Sequence, residues 1–161
     1  MRTYVGRNLG AFLELMIFSA SRSIWVCSSK ISPRFAQRLV DNARKGIDIK
    51  VITESYRNEE SVDLIKKALR SERSDRSSGT IKEDFTRPQL DYLILKSGKE
   101  SIQVSIYIID GKQAMIGSAN LTESDLYGGV EYMLIIEDLR DVEKVMEDFI
   151  ALWRLYLGLR I

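Results

Sequence analysis

The sequence predicts an α/β fold with a mixed, largely parallel sheet and helices on both faces. Between residues 23 and 53, a strand pattern, a helix pattern and a second strand pattern follow one another. This is the order of a right-handed crossover between two parallel strands. Further along, residues 106–109 form an apolar run without a polar break. Such a run is typical of a strand that is buried on both faces, so we expect helices above and below the sheet.

The N-terminal half contains three predicted helices and two predicted strands. The first helix has an apolar stripe at helical spacing, made of Leu9, Phe12, Leu13, Met16, Ile17 and Ala20. Residues 23–27 are β-branched and aromatic and predict a buried strand. A Ser-Pro pair at residues 32–33 begins the second helix, and Gly46 ends it. Residues 48–53 alternate between polar and apolar side chains, as a strand does, and residues 59–69 predict the third helix.

The C-terminal half completes a single predicted domain that spans residues 1–161. Residues 71–86 are rich in Ser, Arg, Asp, Glu and Gly, which predicts a mobile loop. A short helix is expected at residues 89–96. Three strands are then expected, at residues 102–109, 113–116 and 130–136. A long helix begins at about Leu139 and has one apolar face, which contains Val142, Val145, Met146, Phe149, Trp153, Tyr156 and Leu157.

The composition restricts the function. Lys and Arg number 24 and Asp and Glu number 23, so the net charge is +1 and polyanion binding would need a local patch. Cys27 is the single cysteine and the chain has 0 histidines, which argues against a disulfide, zinc or another soft-metal cofactor. Glu14 interrupts the first apolar run, and no run approaches the roughly 18 apolar residues of a membrane span. We therefore expect a cytoplasmic protein without a cofactor or a membrane span.

One pair of motifs in the C-terminal half is specific in its spacing. Gln103 and Ser105 are followed after four residues by Asp110, and after six more by Gly117-Ser118-Ala119-Asn120. This pattern resembles the phospholipase D superfamily signature H-x-K-x4-D-x6-G-S-x-N, also called the HKD motif. The spacing matches throughout, but Gln103 stands in the histidine position and Ser105 in the lysine position.

The resemblance implies a phospholipase D-like, nuclease-like domain and assigns roles to its residues. Gln103, Ser105 and Asp110 occupy the catalytic positions, in which the family's lysine holds phosphate and its Asp supports the neighbouring geometry. Ser118 and Asn120 occupy phosphate-binding positions, and Glu131 matches a later carboxylate that orients the histidine of a facing motif. Single-motif members build one site from two chains, so the resemblance also implies a homodimer in which two Asn120 loops face each other.

The two altered positions predict a pseudo-enzyme. The family's histidine attacks the phosphodiester and forms a covalent phosphohistidine, whereas the Gln103 amide has no titratable nitrogen. The chain has no other imidazole. The change at Ser105 removes a fixed positive charge from the phosphate pocket.

The retained residues also have structural interpretations. Asp110 can form a turn with the following glycine, Gly117 can end a strand tightly, Asn120 can cap a loop, and Glu131 can face solvent. A basic run on the third helix and the following loop is either a solvated face or a phosphate-contacting surface. Its members are Lys66, Lys67, Arg70, Arg73 and Arg76.

Three classes of function remain open from the sequence. The first is an inactive domain that binds nucleic acid or another phosphodiester as a homodimer, and it is the prediction we prefer. The second is a protein-interaction or regulatory module with a protein partner. The third is an active nuclease or phosphodiesterase with a non-standard or engineered site.

Overall fold

Seven strands form one sheet in the computed structural model, which describes residues 1–75, 89–96 and 101–158. The strands are β1 (Arg2–Arg7), β2 (Ser23–Cys27), β3 (Asp48–Glu54), β4 (Leu90–Leu95), β5 (Ser105–Ile109), β6 (Gln113–Gly117) and β7 (Val130–Ile136). The helices in the same ranges are α1 (Gly10–Phe18), α2 (Pro33–Arg44), α3 (Glu59–Asp75) and α4 (Leu139–Gly158), with a short π-helical turn at Ser124–Gly128.

The sheet is mixed, which confirms the predicted α/β class. Its strand order is β1-β7-β6-β5-β2-β3-β4. β2, β3 and β4 pair in parallel, and the other neighbouring strands pair antiparallel. Most strands run in one direction and β5 and β7 oppose them, but the expectation of a largely parallel sheet needs one correction. Among these seven strands, only β2, β3 and β4 pair in parallel. The tight turn between β5 and β6 permits only antiparallel pairing of those two strands.

Helices cover both faces of the sheet, as the sequence predicts. Along β5, Tyr107 and Ile109 pack in the layer of α1, α2 and α3, whereas Ile106 and Ile108 pack with α4. This division follows from the alternation of side chains along a strand. On the second face, the Phe149 ring of α4 lies 5.4 Å from that of Trp25 in β2.

The polar loops gather at one end of the sheet, which we name the motif end. β2 and β3 finish there, and the antiparallel β5 begins there, so Ser105 lies opposite Gly117, the last residue of β6. Ligands of open α/β sheets bind beyond the carboxyl ends of strands. A functional site is therefore expected at the motif end.

Three predicted elements differ from the structure. Residues 89–96 do not form a helix, because most of them form β4, which pairs in parallel with β3. Helix α3 continues to Asp75, so residues 71–75 are helical and not part of a loop, while residues 76–86 of the predicted loop lie outside the described residues. β1 was not predicted, and the strand expected at residues 102–109 begins at Ser105. None of the helices in the described ranges is long and apolar enough to span a bilayer.

Candidate functional site

Asp110 lies in the turn between β5 and β6, about 17 Å along the strand from Ser105 and away from the motif end. Its carboxylate accepts hydrogen bonds from the backbone amides of Ser21, Arg22 and Ser23 at 2.7–3.1 Å. Burial of the carboxylate opposes its ionisation, but these amides and the Ser21 hydroxyl outweigh that effect and lower the pKa of Asp110. The position predicted as catalytic thus fastens the segment between α1 and β2 to the end of the sheet opposite the motif end.

Gln103 and Ser105 have different environments. Gln103 is exposed before β5, and its amide donates a hydrogen bond to the Ser101 hydroxyl. Ser105 is only 1% exposed, and its hydroxyl donates to Asn120 Oδ1 at 3.4 Å. The residue in the lysine position therefore fills space beside Asn120 and does not face solvent.

Asn120 is the centre of a hydroxyl cluster at the motif end. Its Oδ1 accepts from the Ser29 hydroxyl at 2.9 Å and from the Ser28 hydroxyl at 3.1 Å, in addition to Ser105. Its backbone amide and its Nδ2 both donate to Asp125 Oδ2, at 2.9 and 2.8 Å. Asn120, which follows β6, thus connects the end of β2 and the start of β5 to the π-helical turn. The Asp125 carboxylate accepts hydrogen bonds from two of its donors.

Asn58 holds the loop that contributes the serines, and sequence reasoning missed it. This side chain is 5% exposed, donates to Ser29 O at 2.7 Å and to Glu54 O at 2.9 Å, and accepts from Ile31 N at 3.1 Å. The loops after β2 and β3 are thereby joined. An asparagine just before a predicted helix was the available signal, but it does not reveal partners nearly 30 residues away.

Gly117, Ser118 and Glu131 lie together where β6 meets β7. The Ser118 hydroxyl donates to Glu131 and accepts from Tyr132 N at 3.0 Å. A Cβ on Gly117 would lie 2.0 Å from Tyr132 O, so only glycine fits this close approach. Ser118, which follows β6, therefore lies beside Glu131, and the Glu131 carboxylate bonds to Ser118 of its own chain.

The basic run lies apart from the motif residues. Helix α3 begins next to Asn58 at the motif end, and Lys66, Lys67 and Arg70 follow about 10 to 17 Å further along its axis. Lys67 and Arg70 are exposed and Lys66 is partly buried, while the side chain of Arg73 and the whole of Arg76 lie outside the described part of the chain. The predicted nucleic-acid residues and the motif residues are two separate groups.

The single cysteine is not a reactive group. Cys27 is 2% exposed at the end of β2, and burial, together with the charge of Glu54, raises the pKa of its thiol to about 12. Within residues 1–75, 89–96 and 101–158, no three His, Cys, Asp or Glu side chains are grouped as metal ligands.

The structure is an α/β domain in which a mixed sheet lies between two helical layers and the G-S-x-N turn lies at one end of the sheet. The model of the family described as "Cardiolipin synthase, PLD-like domain" matches residues 13–153. The chain therefore belongs to this phospholipase D-like family. No curated protein matches the sequence.

Solved structures show the same fold. NucT from Helicobacter pylori is similar with a TM-score of 0.70 and 19% identity, over 95% of this chain and 94% of that chain. Nuc from Salmonella typhimurium, a phospholipase D family member, has a TM-score of 0.66 and 17% identity over the same shares. TrmBL2, an archaeal chromatin protein, has a TM-score of 0.55 and 16% identity, over 96% of this chain and 53% of that one. At these identities the likeness concerns the fold.

Proposed function

We propose that this chain is a phospholipase D-like domain that binds nucleic acid, or another phosphodiester, without cleaving it. One observation carries the proposal. The lysine position holds the buried Ser105 hydroxyl, bonded to Asn120, and the chain contains 0 histidines to act as the nucleophile. Ser118 and Asn120 are retained at the family's phosphate-binding positions. The histidine that would attack a phosphodiester and the lysine that would hold it are replaced by Gln103 and Ser105.

The alternative of an active enzyme would need Ser105 as the nucleophile, and its surroundings do not support this. A serine requires a neighbouring base to accept its proton. Tyr107 is one neighbouring candidate, and its hydroxyl donates to Ala119 O at 2.7 Å. Burial raises the pKa of Tyr107 far above neutrality, against the opposing hydrogen bonds of Ser105 and Ser28. Tyr107 therefore stays protonated and cannot act as that base.

Binding to a phosphate backbone is supported by two observations. Lys67 is exposed in the middle of α3, and Arg70 is exposed one turn further along the helix. TrmBL2, which shares the fold, is described as showing a novel mode of DNA binding. We propose that the basic run on α3 contacts phosphates, and that Ser118, Asn120 and Glu131 lie beside the bound strand.

The proposal predicts salt-dependent binding without cleavage. Fluorescence anisotropy with labelled single- and double-stranded DNA and RNA should give affinities that fall linearly with the logarithm of salt concentration. Replacing Lys67 and Arg70 with alanine should reduce the magnitude of the slope by about 1 for each lost phosphate contact. Lys144→Ala is the matched control, because Lys144 is an exposed cation on α4, across the sheet.

The same samples test the absence of catalysis. All labelled strands should remain intact in the presence of a metal chelator. The double variant Gln103→His, Ser105→Lys restores the family's histidine and lysine and tests whether phosphodiester cleavage can be recovered. Robust cleavage by the unmodified chain, lost on Ser105→Ala, would contradict the pseudo-enzyme, and an unchanged salt slope in the Lys67 and Arg70 variants would contradict the proposed surface.

We also propose a two-fold homodimer in which the Asn120 loops face each other, in a cytoplasmic protein. An apolar patch flanks the motif end on the α4 side and consists of Val5, Val104, Val130 and Tyr132. Val5 pairs with Tyr132 across β1 and β7, and these residues are 71% and 51% exposed. Exposed apolar patches of this kind mark protein contacts.

Light scattering should therefore give the mass of a dimer, and Val5→Glu should shift it toward the monomer. Leu155→Glu places the same charge at an exposed apolar position on α4 and should leave the dimer intact. A monomeric unmodified chain would contradict the dimer and would favour the alternative, in which the patch receives a different protein partner.

A further inference from the structure

Asp125 is hydrogen-bonded to Asn120, which occupies one of the positions predicted to bind phosphate. A single oxygen of its carboxylate, Oδ2, accepts from both the backbone amide and the Nδ2 of Asn120, at 2.9 and 2.8 Å. Paired N–H donors of this kind are the groups that hold a phosphate oxygen in proteins. In this chain the two donors already have an anionic acceptor.

The position of this carboxylate is fixed by the π-helical turn. Asp125 N donates to the Thr122 hydroxyl at 3.2 Å, and the next residue, Leu126, is fully buried. Tyr127 then packs its ring on Gly10 and donates its hydroxyl to Glu14 of α1. These contacts hold the backbone of the turn and so place the Asp125 side chain beside Asn120.

Asp125 also determines which way the Asn120 amide points. A carboxylate is only an acceptor, so the Asn120 side chain must direct its NH2 group toward it. The amide oxygen is then left to face the hydroxyls of Ser28, Ser29 and Ser105. The reverse orientation would bring two acceptors into contact. Asn120 therefore directs an acceptor oxygen toward the interior of the motif end. Such an oxygen can bind hydroxyl groups but not an anion.

We infer that Asp125 is a specificity-determining residue that acts as a built-in competitor for phosphate at Asn120. This inference rests on the proposed function and deepens it. The built-in carboxylate repels an incoming phosphate and occupies its donors. Phosphodiester backbones are consequently held mainly by the exposed cations, and the motif pocket admits a phosphate only weakly.

The test compares Asp125→Ala and Asp125→Asn with Glu123→Gln. The alanine variant frees both Asn120 donors, and the asparagine variant removes the charge while keeping an acceptor for the turn. Glu123→Gln removes the same charge two residues earlier and controls for the general electrostatic effect. The probes are inorganic phosphate, followed by chemical shifts of the Asn120 amides, and a single-stranded thymidine oligonucleotide, followed by anisotropy at fixed salt.

We expect Asp125→Ala to bind phosphate roughly tenfold more tightly than the unmodified chain, Asp125→Asn to be intermediate, and Glu123→Gln to change affinity by less than about twofold. Circular dichroism and thermal melting confirm that each variant is folded. If the alanine variant does not fold, the asparagine variant decides. Folded Asp125 variants that bind phosphate no more tightly than Glu123→Gln would overturn the inference.

The two proposals can fail separately. If the unmodified chain binds no oligonucleotide but the Asp125 variants bind phosphate more tightly, the inference stands and the proposed function falls. If the unmodified chain binds the oligonucleotide and the Asp125 variants match Glu123→Gln, the proposed function stands and the inference falls.

Discussion

Replacing Gly117 with alanine is expected to destabilise the protein by about 3 kcal/mol or more, the upper end of the usual range for overpacking. The added Cβ would lie 2.0 Å from Tyr132 O and 2.6 Å from Met133 Sδ. The first of these atoms belongs to the backbone of β7, so relief requires β6 and β7 to separate. Urea unfolding measures the change as a shift of the midpoint at constant slope.

Gly128→Ala is the matched control for this substitution. A Cβ at Gly128 would meet no atom within 4 Å, so the same chemical change should alter the stability by less than about 1 kcal/mol. A Gly117→Ala protein as stable as the control would show that β6 and β7 do not approach as closely as described. The glycine of the G-S-x-N motif is thus required by backbone packing, whatever the motif binds.

Asp110→Asn is expected to lower the free energy of unfolding by about 2 kcal/mol at neutral pH, because hydrogen bonds to a charged acceptor contribute more than neutral ones. The carboxylate accepts from the amides of Ser21, Arg22 and Ser23, the closest at 2.7 Å. Asp110 has a φ of 56°, a left-handed conformation that asparagine tolerates. The substitution therefore removes the charge without adding backbone strain.

The pH dependence of this effect has a definite sign. The pKa of Asp110 is lower in the folded chain than in the unfolded chain, where a value of about 3.9 is usual. Its stabilising contribution is therefore complete above about pH 5 and is lost as the pH falls through the folded value. Urea unfolding of both proteins at pH 7 and near pH 3 should show the difference shrinking in acid. A difference that grows in acid would show that the carboxylate is not stabilised in the folded state.

The sequence was sufficient where the signal is local. Alternation and apolar runs predicted β2, β3, β6 and β7, and the Ser-Pro pair predicted the start of α2. The helix predicted at residues 89–96 was wrong, because the buried Leu90 and Leu93 are three residues apart, a spacing that is also found in helices. Only the pairing with β3 makes this segment a strand. β1 is an edge strand whose partner is β7, far along the chain.

The bonds of the candidate site were not predictable from the sequence. The family resemblance grouped Ser105, Gly117 and Asn120, and the structure places all three at the motif end. The resemblance also grouped Asp110 with them, although that carboxylate lies at the opposite end of the sheet. The role of Asp125 depends on the rotation of one amide and on the π-helical turn, and neither leaves a periodic trace in a sequence.

The pairing of β1 with β7 has a consequence for the order of folding. β1 joins the sheet along β7, and the ion pair between Arg2 and Glu137 links positions 135 residues apart. Closing so long a loop lowers the chain entropy before the stabilising contacts form. Non-local pairings of this kind therefore slow folding. We therefore expect β1, the first strand in the sequence, to dock late, onto a sheet in which β7 is already in place.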